Sequence, residues 1–224
     1  GGGMFTSFTE LNRKRQRRGS IDFDLPEPLL EFDDFGEMTG VVRAPRNIAH
    51  RLIEEFMLAA NEAVAAHLEA AGEHMIFRIH ERPNPQRVLE FEEVATQFGY
   101  SLTAGAAPVK KFKTEVLALD NPLLTSRSYQ KLVAKIEGKP EERILSYLML
   151  RSLKQARYSE VNQGHFALAA VSYTHFTSPI RRYPDLIVHR LLGAHLDGQP
   201  FDADLHAIAD QSSETERRAA ETER

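Results

Sequence analysis

The stretch NIAHRLIEEFMLAANEAVAAHLEAA, residues 47–71, constrains the fold more than any other part of the chain. Ile48, Leu52, Ile53, Phe56, Met57, Ala60, Val64 and Leu68 recur at three- and four-residue steps, the spacing of a helix. Asn47 is a capping residue and Gly72 a natural stop. The apolar positions cover more than one stripe, so a long helix buried on several sides is predicted. Glu55 falls beside the apolar stripe rather than opposite it.

Other helical patterns lie at residues 8–18 (with Gly19 as the stop), 90–98, 126–136, 141–156 and 203–224. In the helix over 141–156, Ile144, Leu145, Leu148 and Met149 are expected inward. Strand signals are short. SIDFDLPEP at 20–28 alternates apolar and acidic residues. LLEFDDFGEMTGVVRAP reads as a hairpin, with Leu30 and Phe32 opposite Val41 and Val42 and with Asp33, Asp34 and Gly36 in the turn. MIFRIH at 75–80 is a further strand, and residues 164–172 an extended piece. The fold class expected is α+β: mostly helical, with a few short antiparallel strands.

Hydrophobic residues make up 42% and charged residues 27%, ordinary for a chain with a core. No apolar run approaches eighteen residues, which excludes a helical membrane span and a membrane partner. Cysteine is absent. Disulfides and thiolate metal sites are excluded, and a cytoplasmic location is expected. The net charge is −4, so any site for a polyanion must be local. RKRQRR at residues 13–18 is one such place, either a phosphate-contacting helix or a solvated polar face. Residues 1–7 read as tag and cloning residues.

The second basic place is YTHFTSPIRRYPDL, residues 173–186. Ser178 and Pro179 suit the cap and first position of a helix. Arg181 and Arg182 put two cations against that end, where dipole and charge repel unless an anion answers both. A phosphodiester or a buried carboxylate would do so, since arginine offers bidentate geometry to either. His175, Thr177 and Tyr183 add hydrogen-bond donors and an aromatic face. Two readings stay open: an anion site, or arginines that pair with acids such as Asp185 or Glu55 and hold helices together.

HFALAAVSYTHFTSPIRRYPDLIVHRLL, residues 165–192, closely resembles the signature block of the ribonuclease II/ribonuclease R family, whose catalytic module is the RNB domain. GSIDFDLPE, IEEFMLAANE and KPEERILSYLMLRSLKQARYS agree in the same order, and the HFTSPIRRYPDL variant looks more like the ribonuclease R branch. The resemblance implies a processive, metal-dependent 3′→5′ exoribonuclease. Such an enzyme releases nucleoside 5′-monophosphates from single-stranded RNA, the implied partner. The arginine of the SPIR element, Arg181, would then act on the scissile phosphate. Arg182, Thr177, Ser178, Tyr183 and His175 would lie along the phosphate path. Glu55 resembles a family glutamate near the active centre, and Glu223 falls where the family has an acid near the 3′-terminal nucleotide.

The family's metal centre is an aspartate cluster of the type DxxxxxDxDD, upstream of GSIDFDLPE, and no such cluster occurs in this chain. Asp33 and Asp34 are read as turn acids instead. His80, His165, His175 and His189 lack ligand spacing and are read as structural or as hydrogen-bond donors. Residues 8–224 are therefore expected to be the C-terminal part of an RNB catalytic domain. Mg²⁺ would belong to the full-length parent, with no metal held here, and the piece alone is expected to be inactive. Self-association through the exposed face of a divided domain is a further expectation. The alternative is a non-catalytic RNA-binding or scaffold protein that keeps the RNB shell.

Overall fold

A computed structural model describes residues 2–23, 28–43, 47–102 and 124–222. The elements are α1 (Gly2–Arg18), β1 (Pro28–Phe32), β2 (Met38–Arg43), α2 (Ile48–Ala70), β3 (Phe77–Ile79) and α3 (Pro85–Gln97). They continue with α4 (Ser126–Ile136), α5 (Glu142–Ser152), β4 (Arg157–Ser159), α6 (Tyr183–Leu196) and α7 (Leu205–Thr222). The fold is α+β, mainly helical, with two separate antiparallel pairs, β1–β2 and β3–β4.

Three apolar clusters hold the described residues together. Val88, Phe91 and Ala95 of α3, Tyr129, Leu132 and Ile136 of α4, and Leu145 and Met149 of α5 form the first. Ala65 and Leu68 of α2 pack with Phe77 and Ile79 of β3 and Val188 and Leu191 of α6. Tyr158 of β4, Ile187 of α6 and Leu205 and Ala209 of α7 form the third. Helix α6 thus lies between two clusters, and Phe176 upstream of it packs on the first of these.

Several sequence expectations change. Helix α2 keeps its cap, because the Asn47 side chain accepts from the N–H groups of Ala49 and His50. It is not buried on several sides, however. Its buried residues are Glu55, Asn61, Ala65 and Leu68, while Ile48 and Ile53 are more than half exposed. Residues 20–23 form no strand, since Ile21 gives its N–H to a loop carbonyl, Ala167 O, at 2.7 Å; residues 24–27 lie outside the described set. Helix α5 stops at Ser152, where Leu153 turns extended toward β4, and Ile144 faces outward. The piece over 164–172 folds back on itself through reciprocal bonds between His165 and Ala170. The β1–β2 hairpin stands as expected, and Asp33 is a turn acid whose Oδ1 accepts from Phe35 and Glu37 N–H, both at 2.9 Å.

Candidate active-site turn at the start of α6

Helix α6 begins at Tyr183, not at Ser178 or Pro179, and its first turn contains Pro184 and Asp185. Pro184 suits this first turn, where its missing N–H leaves no intrahelical bond unmade. Arg182 is the cap residue with extended backbone and no side-chain cap bond. Residues 178–182 form a tight turn, with Arg181 N–H and Arg182 N–H both directed at Ser178 O, at 3.3 and 3.0 Å.

The two arginines have different surroundings. Arg182 sets its fork on Asp185, Nε to Oδ1 at 2.9 Å and Nη2 to Oδ2 at 2.7 Å. Asp185 is 0% exposed and also accepts Ser178 N–H at 2.8 Å. A carboxylate so deep in protein is tolerable only with charge-assisted partners, and this one has three donors. Arg181 is exposed and, among the described residues, carries no ion pair or side-chain hydrogen bond. Tyr183 beside it is 54% exposed. The Thr177 hydroxyl is buried and finds no partner among the described residues.

The residues before the turn are fixed just as firmly. Phe176 gives its N–H to Asn61 Oδ1 of α2 at 3.0 Å and accepts His189 Nε2–H of α6 at 2.8 Å. The Phe176 and His189 rings stack at 3.9 Å. Asn61 Nδ2 also donates to the Tyr173 hydroxyl at 2.9 Å.

His175 lies within a row of rings that runs through Tyr158, His175, Tyr173, His165 and His80 in edge-to-face contacts of 5.1–5.9 Å. Burial first, and then the Arg182 charge, press the His175 imidazole down to about 2. Burial likewise holds His165 down to about 3, and pushes the Tyr158 phenol up to about 12. The Tyr158 hydroxyl and His175 Nδ1 share a hydrogen bond at 2.9 Å.

Glu55 is not brought to this turn by any contact. It is 3% exposed on α2 and accepts Arg15 Nε at 2.8 Å and Asn12 Nδ2 at 2.9 Å, both from α1. Arg15, from RKRQRR, is itself buried and also faces Asp22 and Glu54. Arg18 pairs with Glu62 and donates to Leu168 O. The basic run is therefore neither a bare solvated face nor wholly a phosphate contact, because two of its arginines seat α1 on α2. Glu223 lies outside the described residues. Sequence reasoning named Asp185 as a candidate partner of the arginines but missed Asn61 as a determinant of the turn; the polarity of Asn61 within an apolar helical pattern was the available signal.

Among the described residues no three His, Asp or Glu side chains come together where they could hold a metal ion. The donors present among the described residues do not fit Mg²⁺.

Residues 4–198 match the RNB domain. Ribonuclease R of Aquifex aeolicus is 42% identical over 225 positions, covering 98% of this chain and 30% of that protein. A solved Mycoplasma genitalium RNase R, in complex with ribose-methylated single-stranded RNA, superposes with a TM-score of 0.81 at 30% identity. That match covers 95% of this chain and 32% of the other. Yeast Ssd1, described as a pseudonuclease, gives a TM-score of 0.59 at 27% identity, over 76% of this chain and 20% of its own. The chain thus spans less than a third of the length of these relatives. On this domain match, with ribonuclease R sequences and structures among its relatives, the chain belongs to the RNB-domain family.

Proposed function

We propose that this chain is part of a ribonuclease R-like 3′→5′ exoribonuclease that hydrolyses single-stranded RNA to nucleoside 5′-monophosphates in the cytoplasm. The observation that carries the reading is Arg181, an exposed guanidinium without a partner among the described residues, on a turn held by buried contacts. A guanidinium fixed in advance donates to phosphate oxygens and stabilises the charge that builds on them as phosphorus becomes five-coordinate. Thr177, Ser178, Tyr183 and His175 are assigned to the phosphate path beside it. Glu55 and Glu223 keep only the roles that the family resemblance implies. The Mycoplasma genitalium relative has been solved in complex with ribose-methylated single-stranded RNA and with double-stranded RNA, which favours RNA as the substrate class here.

Mg²⁺ belongs, in this reading, to the parent protein and would supply the activated water there. The 224-residue chain with Mg²⁺ and end-labelled single-stranded RNA is expected to release no nucleotide. It is expected to bind the RNA, and Arg181→Ala to weaken binding by about tenfold. Nucleotide release that disappears in Arg181→Ala would contradict the inactivity of the piece. Binding indifferent to Arg181→Ala would contradict the site.

The likeness to Ssd1, a pseudonuclease, favours a second reading, in which the parent binds RNA through an RNB shell without cleaving it. The coding sequence upstream separates the two, since an aspartate cluster of the type DxxxxxDxDD there supports the enzyme and its absence supports the shell.

A further inference from the structure

We infer that the pair of part-buried Arg182 and fully buried Asp185 is a positioning device: it holds the 178–182 turn and presents Arg181 to a phosphate without touching RNA itself. The inference rests on the RNA reading of Arg181 above. Two adjacent cations at a helix start are unfavourable with the helix dipole, and an acid in the first turn suits it. Asp185 neutralises one of the two, which leaves the other to take an external anion.

Geometry assigns the roles. Arg182 spends its bidentate edge on Asp185, and Asp185 spends both oxygens on Arg182 and the Ser178 N–H. A phosphate that took this edge of Arg182 would strand a fully buried carboxylate, a larger penalty than one phosphate contact offsets. The same carboxylate grips both ends of the turn, Ser178 through its backbone and Arg182 through its side chain. Asn61 and His189 pin Phe176 two residues upstream. Arg181 is therefore carried on a backbone fixed on either side, and a preorganised donor costs little to reorganise when charge develops.

The test measures binding of a 2′-O-methylated single-stranded oligonucleotide to the 224-residue chain, with melting temperature recorded for each variant. Asp185→Asn and Arg182→Ala are each expected to weaken binding by about three- to tenfold when Arg181 is present. In the Arg181→Ala background each is expected to change binding by less than about twofold, because they act through that guanidinium. A general loss of folding would not show this dependence on Arg181. An Arg182→Ala loss that persists undiminished without Arg181 overturns the inference and makes Arg182 a phosphate ligand.

A second arm needs no RNA. The Arg182 Nε–H, followed by NMR, is expected to exchange slowly in the wild type and rapidly in Asp185→Asn. Rapid exchange in the wild type overturns the clamp, even where Asp185→Asn fails to fold. A protected Nε–H in a wild type that binds no oligonucleotide overturns the RNA reading of Arg181 and leaves the clamp standing.

Discussion

Arg181 and Arg182 are chemically identical neighbours, and their difference comes wholly from what each one faces. One position along the turn separates Arg182, which faces buried Asp185, from Arg181, which faces solvent. The histidines show the same dependence on surroundings. His175 and His165 are held neutral, with folded values of about 2 and about 3, against an ordinary value near 6.5. Depressed values mean that the unfolded chain binds more protons between about pH 3 and pH 6.5, so stability rises with pH across that window. It is fully present above about pH 6.5 and is lost as pH falls toward the folded values. Urea midpoints at pH 8, 6 and 4.5 are expected to drop in that order, and His175→Gln to flatten part of the drop; a profile flat from pH 8 to 4.5 would contradict the burial.

At the scale of elements, α1 is joined to α2 by charge more than by apolar contact. Arg15 Nε meets Glu55 at 2.8 Å with both groups buried, and Arg18 meets Glu62. Removing one partner of a buried pair leaves an uncompensated charge, so Glu55→Ala is expected to destabilise the fold by about 3 kcal/mol in urea unfolding. Replacing both groups, Arg15→Met with Glu55→Leu, is expected to recover most of that loss. A double variant as unstable as the single one would show that charge specificity holds α1 in place. Gly19 ends α1 at φ +96°, and a Cβ there would stand 3.0 Å from the Arg127 Cβ of α4. Gly19→Ala should therefore lower the melting temperature through both strain and collision. The stop at Gly19 was legible in the sequence as punctuation, but the close approach of α4 was not, because it joins residues more than a hundred positions apart.

At the scale of the molecule, the β1–β2 hairpin exposes Leu30, Phe32, Met38 and Val41, and Phe35 at its turn is 91% exposed. A two-stranded ribbon is marginal alone in water, and apolar area of this kind favours association. We propose that the chain self-associates through this hairpin. Sedimentation velocity is expected to show mass rising with concentration, and Phe35→Ser with Val41→Thr to shift the equilibrium toward monomer; an unchanged distribution would place the contact elsewhere. The α+β class and the helices α4 and α7 were readable in the sequence, while α3 opens at Pro85, five residues before the expected start. The start of α6 was not readable, because Ser178–Pro179 is as good a helix opening on paper as Tyr183–Pro184.

Local chemistry, written in order along the chain, was enough to determine the long helix with its Asn47 cap, the hairpin, the membership of a family and the candidacy of Arg181. Tertiary structure alone decided which arginine is free, which acid is buried, and that Glu55 serves α1. Periodicity reports how a residue sits on its own element. Burial and pairing depend on elements brought together from far along the chain, and they set the free energy of a charge. In YTHFTSPIRRYPDL the sequence offered two cations and an acid three residues on from Arg182, and burial of that acid beside the contacts to Asn61 and His189 gave one arginine a partner and left the other exposed.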